Sequence, residues 1–179
     1  INWNIEHPYR QINSLKSNNF IFQLDKGRNY LRISNNQGEY ATYVKNVAKN
    51  YGLVKDDYIL DLTGKSPGLI FLLGANSLGG PWMMGGYPGS LEVAKAKINL
   101  IDCKKISKSW ILHDKVSRNI SLDLLYSYGS DIFLDYQEVG QWKAILYKGN
   151  FTQKLFRPVN SNTIYNKCTK IRNLNDNKI

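Results

Sequence analysis

The order of apolar and polar segments along these 179 residues predicts an α/β domain with a mainly parallel sheet and helices on both faces. A strongly periodic helical segment at 40–51 precedes a short β-type run at 58–62, and helical and β-type segments then alternate. The segments at 20–33 and 144–156 have the pattern of hairpins, which would add antiparallel edge strands at both ends. The expected architecture is therefore a Rossmann-like, three-layer arrangement.

The chain divides by composition into three parts. Residues 1–19 are polar and form a lead-in or linker, 20–159 form a single α/β domain, and 160–179 form a polar, frayed C-terminal tail. A length of 179 residues is sufficient for one domain with a proper core. No internal repeat or second domain is visible.

The first elements are a hairpin and a helix. Strands at 20–24 and 29–33 flank the turn 25–28, where Gly27 supplies a positive φ. The helix at 40–51 is indicated by apolar residues three and four apart, and Gly52 ends it. The residues of its apolar face are Tyr40, Tyr43, Val44, Val47, Ala48 and Tyr51.

A strand at 58–62 leads into a helix at 66–74. Ser66 is expected to be its N-cap and Pro67 its first residue, because a serine hydroxyl can accept from orphan amides and proline has no amide to lose. Gly74 then closes this helix in the left-handed conformation.

The second half continues the alternation. We expect a helix that Ser90 caps and that runs to about 101, a strand at 109–113, and a helix at 122–128 that Ser121 caps and Gly129 ends. A strand at 131–135 and two closing antiparallel strands at 144–147 and 153–156 complete the sheet.

Composition narrows the classes of partner. The net charge of +10 favours anionic partners such as phosphorylated lipid, a membrane surface or nucleic acid, although solvated basic faces give the same charge. The basic residues are scattered and form no Lys/Arg block, so the sequence gives little support to nucleic-acid binding. No apolar stretch is long enough to span a bilayer and no signal peptide is visible.

The most informative stretch is the polar turn after the strand at 58–62. The carboxyl end of a strand is where ligands bind in open α/β sheets, so this turn is a predicted ligand site. Its candidate residues are Asp61, Thr63, Lys65 and Ser66. For each of them a structural role, in a turn, in a cap or on the surface, is the simpler alternative.

This turn is not a nucleotide-binding loop. Gly64-Lys65-Ser66 matches the end of a phosphate-binding loop, but the first glycine that such a loop requires is missing, because residues 58–62 of the strand (YILDL) contain no glycine. One anionic group at Lys65 is all that the pattern predicts. No cofactor and no metal site is predicted, and His7 and His113 are expected to be surface or packed residues.

The glycine-rich loop at 79–90 has two interpretations. It is either a mobile flap that covers an apolar or sugar-like ligand, or a tight crossover whose glycines let the backbone lie close to the sheet. On the first interpretation Trp82 and Tyr87 contact the ligand, since flat aromatic faces pack against sugar rings and acyl chains.

The two cysteines, Cys103 and Cys168, have no metal-binding or redox-motif spacing. A disulfide between them and a pair of buried thiols are both compatible with the sequence, depending on the compartment.

Residues 61–69 (DLTGKSPGL) and 81–90 (PWMMGGYPGS), with the lead-in HPYR at 7–10, resemble soluble C-terminal regions of multi-spanning bacterial inner-membrane proteins similar to lipid-linked sugar transferases. The resemblance implies a periplasmic domain preceded by a parent membrane domain. In such proteins catalysis belongs to the membrane part, so no catalytic residue is carried over to this chain. A disulfide would suit that compartment.

Three functions follow as hypotheses. The first is a periplasmic accessory domain that helps a glycosyltransferase-like membrane protein recognise a sugar or lipid-phosphate ligand, with Lys65 contributing to its affinity. The second is a free-standing, cytoplasmic small-molecule enzyme that uses Asp61, Thr63 and Ser66, with a closed pocket lined by these residues and by Trp82. The third is a basic nucleic-acid-binding or scaffold protein.

Overall fold

The computed structural model describes residues 14–24, 29–115, 118–145 and 150–176. A single 3-10 turn, Leu15–Ser17, precedes the first strand. The elements that follow are β1 (Phe20–Gln23), β2 (Tyr30–Ile33), α1 (Asn35–Asn50), β3 (Tyr58–Asp61), α2 (Pro67–Leu72), β4 (Asn76–Ser77), α3 (Ser90–Asn99), α4 (Cys103–Lys108), β5 (Trp110–Asp114), α5 (Asp123–Tyr126), α6 (Ile132–Asp135), β6 (Tyr136–Ile145), β7 (Asn150–Pro158) and α7 (Ser161–Asp176).

The main sheet has five strands in the order β4-β3-β5-β7-β6 and is mixed. β3 pairs in parallel with β4 and β5, whereas β7 pairs antiparallel with β5 and β6. The α/β class is confirmed, but the mainly parallel, Rossmann-like sheet is not. Both antiparallel pairings involve β7, which lies between β5 and β6 in the sheet.

The N-terminal hairpin is confirmed as a hairpin but not as an edge of the main sheet. β1 and β2 form a separate two-stranded sheet, with Phe20 opposite Ile33 and Gln23 opposite Tyr30. The expected turn at 25–28, including Gly27, lies outside the described residues, as do residues 1–13 of the lead-in.

Helices pack on both faces of the sheet. Ile59, Leu112 and Leu155 point to one face, which buries them under α1 and α2. Leu60, Ile111 and Phe156 point to the other, under α3, α4, α5 and α7. This alternation follows from the two-residue period of a strand, since each strand supplies both cores in turn.

Several predictions about local structure are confirmed. α1 covers the predicted segment and begins earlier, after Ser34, whose hydroxyl accepts a hydrogen bond from the amide of Gln37. Gly52 and Gly74 have φ values of 95° and 72°, the left-handed conformation expected of residues that end helices. The amide of Leu53 donates to the carbonyl of Ala48, which completes the helix end.

One expected cap is confirmed in position but not in its hydrogen bond, and a second is wrong. Ser66 and Pro67 are the N-cap and first residue of α2, but the Ser66 side chain makes no capping hydrogen bond because its hydroxyl is bonded elsewhere. Ser90 is the first residue of α3, whose N-cap is Gly89 with φ 77°. Short α4 was not predicted, and it begins where the side chain of Asp102 accepts from the amide of Lys104.

The predicted strand at 131–135 is wrong, since these residues form the single helical turn α6. The carboxylate of Asp131 accepts hydrogen bonds from the amides of Phe133 and Leu134, and Asp135 accepts from the amide of Asp131. These capping bonds stabilise a turn in a short apolar run whose pattern alone does not separate helix from strand.

The expected frayed tail is also wrong. Residues 161–176 form the helix α7, and its Ile164 and Cys168 are buried in the core beside α4. Cys168 is bonded to Cys103 in a disulfide with a Cα–Cα distance of 5.8 Å. The disulfide therefore joins the last helix to a helix 65 residues earlier.

Candidate functional site

Two buried carboxylates lie side by side at the carboxyl ends of neighbouring parallel strands. Asp61 ends β3 and pairs in register with Leu112 of β5, so Asp114 lies one pleat farther along on the same face. Asp61 and Asp114 are 3% and 1% exposed. A carboxylate is costly to bury without partners, so its contacts decide what it does.

Asp61 accepts hydrogen bonds from the polar turn that follows β3. One carboxylate oxygen accepts from the Thr63 amide at 3.0 Å and from the Thr63 hydroxyl at 2.6 Å, and the other accepts from the Ser66 amide at 2.9 Å. The Thr63 and Ser66 hydroxyls are 2.8 Å apart. Burial raises the pKa of Asp61, while these hydrogen bonds oppose the rise. Asp61 thus fixes the turn that the sequence identified.

Gln153 of β7 continues this network toward α1. Its side-chain nitrogen donates to the Ser66 hydroxyl at 2.9 Å. Its side-chain oxygen accepts from the Tyr40 hydroxyl at 2.5 Å and from the Trp142 indole at 3.1 Å. Burial raises the pKa of Tyr40, so this phenol stays neutral and can donate. The network links three segments distant in sequence and was not predicted.

Lys65 is directed toward Asp114. Its ammonium lies 3.4 Å from a carboxylate oxygen of Asp114 and 4.9 Å from the centre of the Phe151 ring. The side chains of Lys65 and Gln153 are the neighbouring groups that favour the charged form of Asp114. Burial raises the pKa of Asp114 and the charge of Lys65 opposes that rise. Lys65 thus forms an ion pair inside the protein, at the position where the sequence predicted an anionic ligand.

The loop at 81–90 lies against the same turn, as a crossover. A Cβ atom added to Gly64 would be 2.5 Å from the Met83 carbonyl oxygen, and one added to Gly85 would be 1.8 Å from the Asn119 carbonyl oxygen. Gly64 also has a φ of 67°. These close backbone approaches require glycine. They favour the tight crossover over the mobile flap, with Met83 buried in the core.

An open cleft lies beside this loop on the opposite face from Asp61. Its volume is about 590 Å³. It runs between the loop and the end of β5, and we call it the β5 cleft. The residues that line it are Gly86, Tyr87, Ser90, Leu91, His113, Lys115, Asn119, Ile120, Ser121 and Leu122.

The β5 cleft offers neutral and cationic groups. Burial lowers the pKa of His113, and the charges of Lys115 and Lys154 lower it further, so the imidazole is neutral at pH 7. The Asn119 side chain donates to the Asp114 carbonyl at 2.8 Å, which holds Asn119 at the end of β5. Hydroxyls, an imidazole and an exposed lysine suit a hydroxylated or anionic ligand.

The predicted site residues divide between these regions. Asp61, Thr63 and Ser66 are buried against one another, and Lys65 faces Asp114. Tyr87 lines the β5 cleft and, with Trp82, an adjoining groove of about 250 Å³ that continues to Val93 and Lys97 of α3. Asp114 and Lys115 were not among the predicted site residues. The sequence signal that could have found them is the polar run His113-Asp114-Lys115 at the end of β5, the strand parallel to β3.

Two further properties of the described residues bear on the site. Among the described residues, no three His, Cys, Asp or Glu side chains are grouped as a metal site. In that part of the chain no helix is long and apolar enough to cross a membrane. Comparison of the sequence with protein-family models and curated proteins, and of the structure with solved structures, finds no match.

Proposed function

We propose that this chain is a periplasmic ligand-recognition domain of a glycosyltransferase-like membrane protein, and that it binds the head of a sugar phosphate or lipid-linked sugar phosphate in the β5 cleft. The observation that carries the proposal is this cleft, in which an exposed lysine, a neutral imidazole and hydroxyl groups surround about 590 Å³ of open space. The role of the chain is recognition, with catalysis in the parent protein.

The groups in the cleft match the groups of such a ligand. Lys115 supplies a positive charge for a phosphate, and the hydroxyls of Ser90 and Ser121 can both donate to and accept from sugar hydroxyls. The Tyr87 ring, which is 52% exposed, offers a flat surface to a sugar ring. The net charge of +10 attracts an anionic ligand toward this surface.

The disulfide supports the proposed compartment. Disulfides persist in oxidising compartments such as the periplasm and are rare in the cytosol. The bond between Cys103 and Cys168 closes a span of 65 residues inside the core. It therefore favours the periplasmic hypothesis over the cytoplasmic enzyme.

Burial also weakens the enzyme hypothesis. That hypothesis needs Asp61, Thr63 and Ser66 to line a pocket, but these residues are buried and bonded to one another. A nucleic-acid partner remains the other alternative, and it predicts binding to DNA that weakens steeply as salt is raised.

The test is a titration of the protein with α-glucose 1-phosphate, glucose and inorganic phosphate, followed by amide chemical shifts. We expect glucose 1-phosphate to shift the resonances of Asn119 and Ser121, and Lys115→Ala to weaken its binding about tenfold. Lys49→Ala, an exposed lysine on α1, is the matched control and should change nothing. Absence of binding, or equal binding by both variants, would contradict the proposal.

A further inference from the structure

A second cleft, of about 330 Å³, opens between α1 and β6. It lies on the α1 and α2 face of the sheet, away from the β5 cleft, and we call it the aromatic cleft. Its volume is at the lower end of those typical of small-molecule sites. The residues that line it are Asn36, Glu39, Tyr40, Tyr43, Trp142 and Lys143.

Three aromatic rings form the walls of this cleft. The rings of Tyr43 and Trp142 meet nearly at right angles, with centroids 6.4 Å apart and 74° between their planes. The Tyr40 hydroxyl and the Trp142 indole nitrogen both donate to the side-chain oxygen of Gln153. Because those polar atoms are already bonded inside the protein, the ring carbons are what these two residues offer to the cleft.

The hydrogen-bond network holds these walls in place. Gln153 is itself fixed by its bond to Ser66, which belongs to the network around Asp61. Tyr40 and Trp142 are therefore preorganised, and a ligand would not have to order them. Tyr43 is 52% exposed and can contact a ligand directly.

Charges of opposite sign lie in the same cleft. Glu39 and Lys143 are both exposed, on α1 and β6 respectively. Among the described residues, neither side chain forms an ion pair. A ligand with a positive and a negative group would satisfy both of them.

We propose that the aromatic cleft binds the quaternary ammonium group of a small zwitterion of the phosphocholine type. Ring faces attract a cation, and perpendicular aromatic walls with a nearby carboxylate are suited to a methylated ammonium, which sheds its water readily. Glu39 adds a negative charge beside the ammonium group, and Lys143 contacts the phosphate. The site is separate from the β5 cleft and does not depend on the function proposed for it.

The first experiment separates cation binding from apolar binding. Calorimetric titration with choline and with its uncharged isostere 3,3-dimethyl-1-butanol should show choline binding about tenfold more tightly. Phosphocholine should bind more tightly than choline because of Lys143. Equal binding of choline and its isostere, or binding of glucose in place of choline, would overturn the proposal.

The second experiment places the ligand. Tyr43→Leu should weaken choline binding about tenfold, whereas Tyr165→Leu, a comparably exposed tyrosine on α7, should leave it unchanged. Lys143→Ala should remove the advantage of phosphocholine over choline and leave choline binding as it was. Unchanged binding in Tyr43→Leu, with circular dichroism showing a folded protein, would overturn the proposal. Lys115→Ala should leave choline binding unchanged, which separates this site from the β5 cleft.

Discussion

The two faces of the five-stranded sheet use polar side chains in opposite ways. On the α1 and α2 face, Asp61, Asp114 and Gln153 are buried, and a network of side chains surrounds them. On the other face a mainly apolar core contains the Cys103–Cys168 disulfide and the buried side chains of Tyr128 and Tyr136, and polar groups of the β5 cleft lie at its edge. Both sets lie near the same strand ends.

The difference teaches that a polar residue at a strand end is not by itself a ligand contact. Asp61 accepts three hydrogen bonds from its own turn, and exchanging them for a ligand would leave buried donors unsatisfied. The exposed Lys115 of the β5 cleft carries no such cost. Burial thus separates residues that maintain the fold from residues available for binding.

The largest expected change in the free energy of unfolding comes from removing the disulfide between Cys103 and Cys168. Replacing both cysteines, Cys103→Ala with Cys168→Ala, should lower the free energy of unfolding by about 4 kcal/mol, because the bond closes a loop of 65 residues in the unfolded chain. Urea unfolding measures this loss. Reductant should destabilise the natural protein similarly and leave the double variant unchanged. A loss below about 1 kcal/mol would show that helix packing alone closes this face.

The next effect concerns the buried network. Asp61→Ala should lower the free energy of unfolding by about 3 kcal/mol, because it leaves the Thr63 and Ser66 donors buried without an acceptor. Asp57→Ala is the control, since Asp57 accepts a single hydrogen bond, at an exposed site, from the Val54 amide. Its loss should be about 1 kcal/mol or less in urea unfolding. Equal losses would mean that the network contributes no more than a surface turn.

The smallest effect is a pH dependence at Asp114. Burial raises the pKa of Asp114 in the folded protein, so the folded state holds this proton more tightly than the unfolded chain does. The stability that this carboxyl contributes is present below its unfolded pKa and is lost as the pH rises through its folded pKa. The ion pair with Lys65 offsets part of that loss.

Asp114→Asn should therefore gain stability relative to the natural protein as the pH is raised from about 4 to 7. Urea unfolding of both proteins across this range measures the change. Asp123→Asn, which removes a carboxylate at an exposed position on α5, is the matched control. A difference that moves the other way would mean that Lys65 outweighs burial at this carboxyl.

Local signals predicted the fold where one segment carries all the needed information. The apolar period of α1, the glycines after α1 and α2, and the β1–β2 hairpin are of this kind. α7 also had such a signal, since Ile164, Cys168 and Ile171 share one helical face, but its polar composition concealed it. The apolar run that became α6 was ambiguous by its length.

The sequence predicted where the candidate site lies, but it did not predict which of its residues are available to a ligand. The carboxyl end of β3 and the loop at 81–90 do lie together, as the glycine contacts at Gly64 show. The residues that line the two clefts were not predicted, because they depend on how β5, β6 and β7 are placed. Lys115 follows β5 and lines the β5 cleft, and Trp142 of β6 lines the aromatic cleft. Gln153 of β7 reaches the turn at Ser66. These contacts join residues up to 113 positions apart, and no local pattern encodes them.

The sequence by itself determined an α/β chain with a polar turn after a buried strand, because backbone preferences and apolar periods act over a few residues. Tertiary structure alone decided the strand directions, the burial of Asp61 and the location of the open clefts. The reason is physical: the free energy of a polar group depends on whether packing removes its water and which partners replace it.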